Sequence, residues 1–183
     1  MKRIASKRVG RLMALLILVL LPLPLSAAQP VIIADSSWTS NVVGLQPTDR
    51  LAGEVSPQPL YLWLLIEGDV TALRELEKQG MLPIRCRWIH YAGTQISQEG
   101  FGTLTDEIQL GVGTKEVLGK LRLEIDNKPN HSFNWRTWSM KNRARYGDWE
   151  VQVVYSDPAR TLLQCRAGNS GELVPCRFEI SIR

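Results

Sequence analysis

The chain has 183 residues, 44% hydrophobic and 22% charged, with 6 Trp, 14 Gly and 10 Pro, the composition of one globular domain rather than of a disordered chain or a fibre. Five of the 22 basic residues (Lys2, Arg3, Lys7, Arg8 and Arg11) lie ahead of Leu12 and no acid precedes Asp35, so the formal +4 becomes 17 basic against 18 acidic residues beyond Ala28. A balanced surface of that kind excludes the usual nucleic-acid binder, whose phosphate contacts need clustered Lys and Arg.

The first 11 residues are basic, Leu12 to Leu25 are almost wholly apolar, and Ser26-Ala27-Ala28 places small residues at −3 and −1 of a cut before Gln29. This pattern predicts an export signal over 1–28 and a single domain over 29–183. The apolar run is shorter than the ~20 residues needed to cross hydrocarbon, and Pro22 and Pro24 break its helix near the cut. No Cys precedes Cys86, so no lipid can sit on a cysteine at the first mature residue. The expectation is a periplasmic or secreted protein with no stable membrane insertion once the signal is removed.

Beyond the signal, a first strand is predicted at 31–34, followed by a Pro-rich loop or crossing segment at 44–59. Leu60 to Ile66 (LYLWLLI) is apolar on both faces and suits a central strand. Asp69 then opens a short helix over 69–79, with Val70, Leu73 and Leu76 on one face and Gly80 at its exit. Strands follow at 84–91 and, in two pieces, at 101–112. Leu121, Leu123 and Ile125 alternate with Arg122 and Glu124, the period-2 pattern of a strand with one face in a core. The segments 133–139 and 161–165 are further strands. Trp149, Val151 and Val153 repeat the alternation, as do Phe178, Ile180 and Ile182. The expected fold is all-β, an antiparallel immunoglobulin-like β-sandwich with one short helix, whose core includes Trp149, Val151, Val153, Phe178 and Ile180.

Three cysteines remain, Cys86, Cys165 and Cys176. An oxidising compartment favours one disulfide. Cys165 and Cys176 flank the turn-rich Gly168-Asn169-Ser170-Gly171 and are the expected pair, with Cys86 reduced and buried; Cys86 with Cys176 is the alternative. A metal site built from Cys86, His90 and the later cysteines lacks close-spaced ligand pairs. Nothing in the sequence implies a cofactor.

Trp135-Arg136-Thr137-Trp138-Ser139-Met140-Lys141, then Gly147-Asp148-Trp149-Glu150-Val151 and a closing Phe178-Glu179-Ile180, together resemble the bacterial family called domain of unknown function 2914. The likeness runs from about residue 31 to 182 and includes a Leu60-Tyr61-Leu62-Trp63 strand and Arg87-Trp88. It departs from the family pattern in the helix at 69–79, the stretch 98–120 and the loop between Cys165 and Cys176. The resemblance implies an envelope-associated all-β accessory module and carries no activity to any residue.

No catalytic constellation stands out. His90 and His131 are in no metal-pair or nucleophile-base spacing, Ser170 is a turn serine rather than a nucleophile elbow, and carboxylate pairs such as Asp106-Glu107 or Asp148-Glu150 occur in any chain with 18 acids. The Trp and Arg cluster is the better lead. In a strand over 133–139, Trp135 and Trp138 must point to opposite faces, with Arg136 beside Trp138 and Phe133 beside Trp135. Arg136, Trp138, Arg143, Arg145 and Tyr146 are therefore the candidate binding residues, since exposed aromatic and guanidinium groups together make protein hot spots or sugar-stacking platforms. The competing structural role packs Trp138 under the 143–146 loop and pairs Arg136 with an acid such as Asp148. The sequence thus points first to a non-catalytic module that binds an envelope protein, second to a glycan or peptidoglycan binder, and last to a periplasmic hydrolase. Mass spectrometry of the exported protein should find Gln29 as the first residue; a membrane-bound form that still begins at Met1 would remove the export reading.

Overall fold

The computed structural model describes residues 30–56, 59–92, 102–112, 132–168 and 170–183. The expected signal at 1–28, the strand at 121–125 and His131 lie outside them. Strands β1 (Ile32–Thr39), β2 (Val42–Val43), β3 (Gln46–Pro47), β4 (Arg50–Leu51), β5 (Glu54–Val55) and β6 (Leu60–Asp69) lead into one helix, α1 (Val70–Lys78). Seven strands follow it: β7 (Arg85–Tyr91), β8 (Thr103–Gln109), β9 (Ser132–Lys141), β10 (Gly147–Val154), β11 (Gln164–Ala167), β12 (Glu172–Pro175) and β13 (Arg177–Ile182).

They form an all-β sandwich. One sheet has the order β12-β11-β1-β6-β9, with β4 also paired to β1, and the other has the order β5-β13-β10-β7-β8. The pairings are mostly antiparallel, but β1 lies parallel to β11 and β5 parallel to β13. The expected crossing segment does cross: the chain leaves the first sheet at β4, pairs with the second as β5, and returns as β6.

Alternation fixes which side chains meet between the sheets. Leu60, Leu62, Leu64 and Ile66 from β6 face Cys86 and Trp88 from β7 and Trp149, Val151 and Val153 from β10, all buried in one cluster. Trp88 lies at its centre, edge-on to Trp38 at 5.7 Å and to Trp149 at 6.2 Å between ring centroids. Such tilted aromatic pairs align positive ring edges with negative faces and add stability beyond their buried area. Two indole N–H groups also tie sheet to sheet, Trp88 donating to Ser139 Oγ at 2.8 Å and Trp38 to the Glu179 carbonyl at 3.0 Å. A buried indole N–H without an acceptor would cost stability, so these bonds lock the relative register of the two sheets.

Several local expectations change. Phe178 shares the inward side of β13 with Ile180 and Ile182 and packs against the core, but is only half-buried. Strand β1 runs to Thr39 rather than 34, carried past a register shift between Ile33 and Asp35. Among residues 102–112 there is one strand, β8, where two pieces were expected, and β3, β4, β5 and β12 are additional short strands. Helix α1 buries Val70 and Leu73 as its 3.6-residue spacing requires, but Asp69 occupies the N-cap without a side-chain capping bond. Gly80, at φ +71°, closes the helix in the left-handed region that glycine enters without strain.

Cys165 and Cys176 are disulfide-bonded with Cα atoms 5.1 Å apart, joining β11 of the first sheet to the residue that precedes β13 of the second. Cys86 is free and buried, and removal from water pushes its thiol up to about 12. Since the thiolate is the reactive form, Cys86 should resist alkylation near pH 8 until the protein is denatured. Non-reducing peptide mapping should join Cys165 only to Cys176.

Candidate functional site

Strand β9 decides the site. Its inward residues Phe133, Thr137 and Ser139 are buried, while Asn134, Arg136 and Trp138 leave the opposite side. Trp138 retains 38% of its surface in solvent. Across the strand pair it stands beside Trp63, which is buried on that same outer face. Trp63 is covered by the β2–β3 hairpin and donates its indole N–H to the Leu45 carbonyl at 2.9 Å. The hairpin thereby brings Val43 and Leu45, both exposed large hydrophobics, onto the face that carries Trp138.

The hairpin turns on two residues, Gly44 at φ +57° and Leu45 at φ +64°. Both positions of such a turn need positive φ, which Gly, Asn and Asp adopt readily. A leucine there crowds its Cβ against the following carbonyl, at a cost of roughly 1–2 kcal/mol. Hydrogen bonds at the base hold the turn, among them Thr39 Oγ1 to the Asn41 carbonyl at 2.8 Å and the Thr48 amide to the same carbonyl at 3.1 Å.

Arg136 makes no ion pair among the described residues. Asp148, its expected partner, instead accepts hydrogen bonds from Ser181 Oγ at 2.7 Å and from Arg183 at 2.6 Å. Trp138 keeps 38% of its surface in solvent and so is not enclosed under the 143–146 loop.

The 142–146 loop takes Arg143, Arg145 and Tyr146 to the end of the sandwich. Trp149 donates its indole N–H to the Arg145 carbonyl at 2.9 Å, and His90 Nε2 contacts the Tyr146 carbonyl at 2.9 Å. A carbonyl only accepts, so Nε2 carries the proton. The His90 ring packs on Trp149 at 4.6 Å, and Gly147 leaves room for it: at φ +126°, a Cβ there would stand 2.7 Å from His90 Nε2. The five candidate residues therefore divide between two surfaces. Arg136 and Trp138 occupy the outer face of the first sheet. Arg143 and Arg145 line a cavity of about 520 Å³ at its end, and Tyr146, 69% exposed, projects from the same loop.

Lys141 completes that cavity. As the next inward position after Ser139 it reaches the rim of the core, where its ammonium pairs with Asp106, donates to Thr105 Oγ1 at 3.0 Å and lies 5.3 Å from the Trp149 ring centroid. Burial, and then the nearby Arg145 guanidinium, lower its pKa. The strand alternation that placed Trp138 outward extends to Lys141, and this signal was present in the sequence.

The carboxylates are committed elsewhere. Asp106 and Glu107 point to opposite faces, Asp106 to Lys141 and Glu107 to Arg85, Arg87 and Arg160 at 3.3–3.8 Å. Glu150 is buried against Tyr91 Oη at 3.0 Å and Arg177 at 3.1 Å. Among the described residues no group of three or more His, Cys, Asp or Glu converges as a metal site would. No helix among them is long and apolar enough to cross a membrane. Comparisons with protein-family models, with curated proteins and with solved structures give no match to this chain.

Asp148 offers a test of this electrostatic arrangement. The Ser181 hydroxyl, and after it the Arg183 guanidinium, hold its carboxyl below the ordinary value of 3.8. Its contribution to stability is complete above that value and is lost as pH falls through the lowered one. Acid titration of the thermal midpoint should accordingly be shallower in Asp148→Asn than in the parent at the acid end, and parallel curves would contradict the assignment.

Proposed function

We propose that this protein is an exported, non-catalytic envelope module that binds a protein partner through the outer face of its first sheet, centred on Trp138 and Arg136. One observation carries the reading: an exposed tryptophan stands beside an arginine without an acid partner among the described residues, on a strand whose other side is core. Large aromatic and guanidinium groups concentrate binding energy when a partner excludes water around them. Val43 and Leu45 extend the apolar surface toward the hairpin tip. The strain at Leu45 supports the same face, since unfavourable backbone at an exposed position is retained where the side chain is used. The exposed aliphatic side chains of Val43 and Leu45, beside polar neighbours such as Asn134 and Ser37 on the same face, support a protein partner ahead of a glycan.

The Cys165–Cys176 disulfide agrees with an oxidising compartment and so with export through the 1–28 segment. Membership of the domain of unknown function 2914 family, proposed on the motifs around Trp138 and Trp149, agrees with an accessory role in the envelope.

Crosslinking in the native envelope followed by capture on the purified protein tests this reading. Trp138→Ala should leave the thermal midpoint nearly unchanged and weaken partner capture by ~2 kcal/mol, about 30-fold. Leu45→Asn, which suits the turn better, should hold or raise the midpoint while weakening capture. A large fall in the midpoint of Trp138→Ala with capture intact would return Trp138 to a structural role. Retention on peptidoglycan, with no protein captured, would replace the partner by a glycan.

A further inference from the structure

Between the 142–146 loop and the middle of β8, the sandwich opens into the 520 Å³ cavity whose charged lining, among the described residues, is Lys141, Arg143 and Arg145 against the carboxylate of Asp106. That volume is within the range of small-molecule sites. Lys141 is held in place from three sides, by Asp106, by the Thr105 hydroxyl and by the Trp149 ring. Arg143 and Arg145 are exposed and make no ion pair among the described residues. Asp106 is already engaged by Lys141, so among the described residues no carboxylate offsets the two guanidinium groups at the cavity. The backbone that bears them is not loose: Ala144 between them is buried, and the Arg145 carbonyl is fixed by the Trp149 indole. Cations that repel one another around a concave, anchored frame are relieved by a bound anion, and a pair of guanidinium forks matches the oxygens of phosphate.

We propose that this cavity is a binding site for a dianionic phosphate group, with Arg143 and Arg145 as its principal ligands and Lys141 as the fixed charge behind them. The site is separate from the outer face that carries Trp138, and its occupation does not depend on partner binding there. The other cationic group, Arg85, Arg87 and Arg160, converges on Glu107 on the outer face of the second sheet. It serves as an internal control.

Inorganic phosphate titrated into the exported full chain, at constant ionic strength against chloride, should shift the Trp149 indole N–H resonance saturably, because that group is bonded to the Arg145 carbonyl. Arg143→Gln and Arg145→Gln, both at exposed side chains, should each weaken binding about tenfold, as loss of a charge-assisted hydrogen bond does. Arg160→Gln and Trp138→Ala should leave phosphate binding unchanged, so that failure here is distinguishable from failure of the partner-binding face. Vesicles of phosphatidylcholine containing phosphatidic acid identify the source: recovery of the protein on them, abolished by Arg145→Gln, assigns the phosphate to a lipid headgroup. Saturable binding of inorganic phosphate without such recovery assigns it to a free ligand. A shift no different from that of chloride, together with no recovery on vesicles, overturns the proposal. So does equal phosphate affinity in the parent and both Gln variants.

Discussion

The hydrogen bond from the buried Trp88 indole to Ser139 determines how this molecule presents itself. Trp88 is fully buried between Trp38 and Trp149, and its N–H is satisfied by the Ser139 hydroxyl, which must therefore point between the sheets. A strand has only two faces. With Ser139 inward, Trp138 and Arg136 are outward, and Lys141 is delivered to the open end of the core. A slip of β9 by one residue would bury Arg136 and expose Phe133, which makes the register costly to change. The properties of the exposed surface thus follow from a satisfied polar group in the interior.

From that constraint come two surfaces of different character. The outer face joins Trp138 to the aliphatic tip of the β2–β3 hairpin and is held by an indole-carbonyl bond through Trp63. The end cavity is cationic and is braced by the aromatic pair of Trp149 and His90. Both rest on tryptophans that are buried, so the scaffold beneath each is rigid while the groups displayed to solvent are few. Elsewhere the buried Glu150 is matched by Arg177, and Asp148 by Arg183.

Much of the core was legible in the sequence because its signal is local. Alternation at Trp149, Val151 and Val153, the parity that separates Trp135 from Trp138, and the short Cys165–Cys176 spacing each depend on residues near one another in the chain. What was not legible depends on distant partners. The parallel pairings of β1 with β11 and of β5 with β13 leave no local mark. Nor did the 44–59 stretch reveal that Leu45 would support the Trp63 indole, since its Gly and Pro content signals a loop and not where the loop folds. The grouping of Arg143 and Arg145 with Trp138 rested on closeness in sequence. A five-residue loop was enough to carry them around the edge of the sheet, onto a different surface.

The placement of β1 has a consequence for the order of assembly. It lies between β6 and β11, so the first strand of the domain cannot acquire both neighbours until the chain has passed residue 164. The contact of β5 with β13 likewise waits for the last residues. Pairings so distant in sequence carry a large loop-closure cost before they yield stabilisation, which slows the search for the native topology. A fragment that stops before β11 would leave the Ile32–Ile33 edge of β1 unpaired and open to other chains. A topology of this kind favours folding that begins only once the whole chain is available.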